Sequence, residues 1–163
     1  MRWIRHLFLD AVLMRRAFPP PALAEIERAV SRHEKRHRGE LRVAIEGGLP
    51  LGALLARQSA RSRALELFAR LRVWDTEDNA GVLIYVLLAD RDVEIVADRG
   101  IHARVGQAAW EEICATMERE FSAGRYLQAV LAGLAAVSDL LERHFPAGSS
   151  SNPDELPNAP AVL

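Results

Sequence analysis

Residues 74–100 read WDTEDNAGVLIYVLLADRDVEIVADRG. Gly81 to Ala89 is apolar without a break, which predicts a central strand buried on both faces, because a half-exposed strand would alternate. The run is far shorter than the roughly 20 apolar residues that cross a bilayer. Asp90-Arg91-Asp92 supplies turn chemistry, and Val93 to Ala97 predicts a second strand, so the two form a hairpin. The acidic loop Trp74 to Asn79 lies at the opposite end from the turn. The returning strand therefore carries Asp98 and Arg99 back toward that loop and leaves Asp90 and Asp92 far from it.

Upstream, Glu40 to Glu46 (ELRVAIE) alternates, with Leu41, Val43 and Ile45 on one side and Arg42, Ala44 and Glu46 on the other, which predicts a strand. Pro19-Pro20-Pro21 opens a helix in which Leu23, Ile26, Val30, His33 and His37 recur at helical spacing through Arg38, with Gly39 as its stop. Residues 47–55 read as a loop or the ragged start of a helix. Ser59 to Leu71 is a helix with Ala60, Ala64, Leu67, Phe68 and Leu71 inward. Downstream, Ala108 to Ser122 is a helix whose apolar face carries Trp110, Ile113, Cys114, Met117 and Phe121, and Tyr126 to Phe145 is a long Ala/Leu-rich helix. Three strands and several helices in mixed order predict an α/β fold, a three-layer α/β/α sandwich with a small mixed central sheet flanked by helices.

The chain has 163 residues, 50% hydrophobic and 26% charged, which suits one folded domain and excludes a wholly disordered chain. The expected organisation is an amphipathic N-terminal helix over 1–17, the α/β domain over 18–146, and a disordered tail over 147–163, where Pro, Ser and Asn dominate. One cysteine rules out an intrachain disulfide and a Cys-based zinc cluster. Arg5, His6 and Asp10 interrupt the apolar residues near the start, so they do not read as a secretory signal. The chain is expected to be cytoplasmic, with residues 1–17 either making peripheral membrane contact or packing on their own domain. Net charge is −1, but residues 1–42 carry ten Lys/Arg against five Asp/Glu, and residues 74–163 six against fifteen. Such asymmetry means two oppositely charged faces or an internal pairing.

His33-Glu34-Lys35-Arg36-His37 matches the H-E-x-x-H signature of zinc proteases. Its basic surroundings repel a dication and no third ligand follows, so the two histidines read better as an extension of the apolar stripe, with imidazolium favoured at the helix end. Asp75, Glu77, Asp78, Asp90, Asp92, Glu94 and Asp98 form an acidic cluster. Oxygen donors on loops suit calcium or magnesium, and Asp75, Asp78, Asn79 and Asp98 are the set that the hairpin can bring together. A solvated loop that caps helices and pairs with arginine is the other reading. The chain lacks the G-x-S-x-G elbow, the P-loop and G-x-G-x-x-G. Cys114 on an apolar helix face reads as an inert thiol. Basic residues 28–42 have no interleaved aromatics, which argues against nucleic acid.

The run WDTEDNAGVLIYVLLADRDVEIVADRG, the later FSAGRYLQAVLAGL (121–134) and the earlier HEKRHRGELRV resemble, in that order, the TPM domain family. This family includes a plant thylakoid-lumen protein of photosystem II repair and many bacterial proteins. The resemblance covers Phe18 to Pro146. It implies an α/β/α sandwich with an acidic groove near strand ends, in which some members bind calcium or other divalent cations. Weak acid-phosphatase activity is attributed to some members and maintenance of membrane complexes to others, so a membrane protein or protein complex is an implied partner. Carried onto this chain, the resemblance makes Asp75, Asp78, Asn79 and Asp98 cation ligands, Arg99 an anion-binding residue, and Glu40, Glu34, His37 and Trp74 further groove candidates. Many relatives have Asn-Asn-Gly where this chain has Asn79-Ala80-Gly81.

Overall fold

The apolar run at 81–89 forms β2 (Gly81–Leu87), every residue of which is buried. In the computed structural model, which describes residues 10–148 and 155–163, β2 is flanked by both strands read from the sequence. It pairs parallel with β1 (Glu40–Glu46), Glu40 opposite Gly81 and Glu46 opposite Leu87. It pairs antiparallel with β3 (Asp92–Ala97), Val82 opposite Ala97 and Leu87 opposite Asp92. Arg91 takes the left-handed conformation (φ 57°) in the turn between them. A fourth strand, β4 (Ala161–Val162), adds parallel to β1. The sheet is mixed and open, in the order β3-β2-β1-β4.

Because β2 has neighbours on both edges and buries both faces, the domain needs a core on each side. On one side, Val43, Ile84, Val86 and Ile95 pack under α2 (Pro20–Glu34), α6 (Gln107–Ser122) and α7 (Tyr126–His144), which supply Ile26, Val30, Trp110, Met117, Phe121 and Leu134. On the other, Ala44, Leu83, Tyr85 and Leu87 pack under α3 (Leu51–Leu55) and α4 (Ala60–Arg70), through Leu54, Ala64 and Leu67. Seven helices and four strands among the described residues form the α/β/α sandwich. The 47–55 stretch, read as a loop or the ragged start of a helix, holds the short helix α3, and one helix falls outside the sequence reading: α5 (Arg99–Val105), a seven-residue segment after β3.

Two boundaries differ from expectation. Helix α2 ends at Glu34 rather than Arg38, so His37 lies past its end and His33 and His37 are not successive turns of one helix. Residues 155–163, part of the expected disordered tail, run alongside β1 instead. Leu156 is buried in the second core, and the Leu163 N–H donates to Ile45 O at 3.0 Å. The first nine residues of the expected amphipathic helix lie outside the described residues. The rest, α1 (Asp10–Ala17), packs Leu13, Met14 and Ala17 on the domain core and leaves Val12 exposed. Among the described residues no helix is long and apolar enough to cross a membrane.

Candidate functional site

The open end of the β2–β3 hairpin gathers the loop before β2, the first residues of β1 and the turn after β3. Gly81 starts β2 so close to the loop that a Cβ there would lie 1.9 Å from Val73 O. Asn79 adopts the left-handed region (φ 50°) just before it, as asparagine tolerates. The Asn79 N–H donates to Thr76 O at 3.3 Å and the Ala80 N–H to Thr76 Oγ1 at 3.2 Å, which folds the loop back on itself.

Across from this loop, Asp98 caps α5. Its Oδ1 accepts the Arg99 N–H at 2.7 Å, and its own N–H donates to Gly81 O at 2.9 Å. The Asp98 side chain is 7% exposed, and its Oδ2 is buried with no hydrogen-bond partner among the described residues. Gly100 then passes against the loop. A Cβ on it would meet Asn79 O at 2.6 Å and Asp78 O at 2.8 Å, so only glycine allows this approach. The segment that carries Asp98 thus packs, at Gly100, against two main-chain carbonyls, those of Asp78 and Asn79.

The carboxylates of the loop are engaged elsewhere. Asp78 pairs with Arg38 at 2.9 Å, and Asp75, half out in solvent, pairs with Arg72. Arg72 also lies 6.0 Å from the ring centroid of the exposed Trp74. Among the described residues no three His, Cys, Asp or Glu side chains converge closely enough to hold a metal by themselves. Arg99, next to Asp98 in the chain, is exposed.

The other groove candidates serve the strand ends. Glu34 Oε1 accepts the Leu41 N–H at 2.9 Å, and Glu40 Oε2 accepts the Leu156 N–H at 3.2 Å. His37 Nδ1 lies 2.9 Å from Gly39 O, which identifies this nitrogen as the donor. Burial pushes the His37 imidazole down to about 4, with His33 and Arg36 adding repulsion. His33 is lowered too, by burial and then by Arg36. The expected imidazolium at the helix end is therefore not favoured: desolvation and neighbouring guanidinium charge outweigh the helix dipole.

Sequence reasoning missed a buried polar tie on the α4 side of the sheet. Glu46 accepts Arg63 Nε at 3.0 Å, Arg63 Nη2 at 2.7 Å and the Tyr85 hydroxyl at 2.6 Å. Glu46 and Arg63 are 3% and 6% exposed, so these are interior charges. The carboxylate raises the affinity of the Arg63 guanidinium for its proton, and burial raises the Tyr85 hydroxyl before that carboxylate adds to it. It also missed Arg42, which donates from β1 to Pro157 O and Ala159 O and so holds the tail. The strict alternation of ELRVAIE was the available signal, because Arg42 and Glu46 share the face opposite Val43.

Solved structures share this architecture. The NMR structure of the BA42 protein from the psychrophilic bacterium Bizionia argentinensis is similar over 90% of this chain and 95% of that one, with a TM-score of 0.78 and 27% identity. The N-terminal domain of a protein from P. gingivalis, also solved by NMR, is similar over 80% of this chain and 82% of that one, with a TM-score of 0.64 and 16% identity, a likeness of fold alone. No curated protein matches. The family model of the TPM domain matches residues 15–140, from the end of α1 to the last turns of α7, and the chain belongs to the TPM domain family.

Proposed function

We propose that this TPM domain binds a divalent cation, calcium or magnesium, at the strand-end groove, with Asp98 as the anchoring carboxylate. The observation that supports this reading is Asp98 Oδ2, buried with no hydrogen-bond partner among the described residues, two positions before Gly100, which packs against the carbonyls of Asp78 and Asn79. An unsatisfied buried acceptor costs about 1–3 kcal/mol, more when charged, and a hard cation that takes oxygen ligands offsets that cost. The donors are oxygens only, which disfavours zinc. Asp78 and Asp75 add to the set when Arg38 and Arg72 release them, so affinity is weak, on the order of 10⁻⁴–10⁻³ M. A bound cation would polarise a phosphoryl oxygen and acidify a water. The exposed Arg99 guanidinium would hold the remaining oxygens of a phosphomonoester, and weak phosphatase activity follows from that pairing.

The test is titration of the metal-stripped protein with CaCl₂ and with MgCl₂, followed by amide NMR. Saturable shifts are expected at residues 74–79 and 98–100, lost in Asp98→Asn. Arg38→Ala, which frees Asp78, is expected to tighten binding by about threefold. Absence of localised shifts at millimolar cation, or equal shifts in Asp98→Asn, overturns the site. Hydrolysis of p-nitrophenyl phosphate is expected to need the cation and to vanish in Asp98→Asn. Turnover unchanged by the substitution assigns it to a contaminant.

A further inference from the structure

One edge of the sheet is β3, and it faces a cleft of about 430 Å³ between the strand and α6. Among the described residues no strand pairs with this edge. Side chains cap its main chain instead: Glu118 Oε1 accepts the Val93 N–H at 3.2 Å, Arg61 Nη1 donates to Ile95 O at 2.7 Å, and the Ile95 backbone hydrogen-bonds Cys114. The cleft carries four carboxylates, on Asp92, Glu94, Glu111 and Glu118, against one guanidinium, that of Arg61. Arg61 already pairs with Glu94 at 3.3 Å. Glu94 and Glu118 hold their protons more tightly than usual, through burial first and then repulsion from Asp92.

A second observation is independent of charge. Trp110 forms part of the same wall, is 2% exposed, and its indole N–H has no acceptor among the described residues. A small inorganic cation would answer the carboxylates and leave the indole as it is. An extended peptide brings both of the required chemistries, cationic side chains and main-chain carbonyls.

We propose that the β3 edge is a docking site for an extended Lys/Arg-bearing peptide segment of a partner protein. Its cationic side chains lie among Asp92, Glu94, Glu111 and Glu118, and its backbone runs along β3 in place of the Glu118 and Arg61 caps. Strand addition at a sheet edge draws affinity from main-chain hydrogen bonds and specificity from alternate side chains. Acidic lining excludes nucleic acid from the same surface. The site lies along the outer side of the hairpin, away from the groove at Asp98, and does not depend on the cation reading.

The probe is a fluorescein-labelled peptide of alternating Arg and Val, compared with its Glu/Val counterpart and with free spermidine. Fluorescence anisotropy is expected to show saturable binding of the Arg peptide alone, weakened about tenfold or more by Glu111→Lys at the exposed rim. Glu94→Gln/Glu118→Gln is expected to weaken it likewise. In NMR spectra the Trp110 indole resonance is expected to move with the Arg peptide and to stay in place with spermidine. Equal binding of the two peptides, insensitivity to Glu111→Lys, or displacement of the Trp110 resonance by spermidine alone overturns the proposal.

Discussion

At the scale of single residues, His37 has the clearest measurable consequence. A folded state that keeps its imidazole neutral binds fewer protons than the unfolded chain between about pH 4 and the unfolded value of 6.5. Stability therefore rises with pH through that window, and His37 contributes no slope above it. The full effect is on the order of 3 kcal/mol. Urea unfolding of the wild type and His37→Gln across pH 4 to 7.5 should show a steeper wild-type slope below about pH 6.5 and parallel curves above. Parallel curves throughout would mean that the ring is solvated. Asp98 is legible at the same scale as a residue that the hairpin returns to the acidic loop. Its buried Oδ2 is not legible, because burial depends on Gly81 O, Gly100 and the loop closing around it.

At the scale of elements, the sequence was most readable where periodicity alone decides structure. The apolar run at 81–89, the alternation at 40–46 and the helical spacing in 108–122 each name their element, because local pattern and tertiary burial agree there. Reading failed where a distant partner overrides the local signal. Pro, Ser and Asn in the tail suggest disorder, yet Leu156 is held by Glu40, 116 positions away. Helix α5 is seven residues long, too short for a periodic pattern to show. The role of the polar side of β1 was not readable, because Arg63, which satisfies Glu46, lies 17 residues on, in α4. That tie joins β1, β2 and α4. Glu46→Ala leaves the buried Arg63 guanidinium with Glu66, at 2.8 Å, as its ion partner and the Tyr85 hydroxyl without its acceptor, and is expected to cost up to about 3–5 kcal/mol in denaturant unfolding. A loss below about 1 kcal/mol would mean that water replaces the carboxylate.

At the scale of the whole molecule, the charge asymmetry of the sequence resolves into pairing across the fold. Arg36 reaches Asp139 at 2.8 Å and also Glu142, Arg38 reaches Asp78, and Arg61 reaches Glu94. Basic residues of the first half thus meet acids of the second. These pairs sit at the surface, where salt screens them. The urea midpoint of the wild type should fall further than that of Arg36→Gln when NaCl is raised to about 1 M; equal falls would mean that the Arg36 pairs contribute nothing. The same long-range logic applies to the strand contributed by residues 161–162. With it in place, β1 is an interior strand over Ala44 and Ile45. Removing residues 155–163 replaces the two-residue β4 margin with the seven-residue β1, leaving unpaired amides and carbonyls beside Val43 and Ile45 and no Lys or Pro to blunt them. Such a margin recruits its own kind. The shortened chain is expected to remain folded at micromolar concentration but to form edge-to-edge oligomers as concentration rises, visible by light scattering, while the full chain stays at constant size.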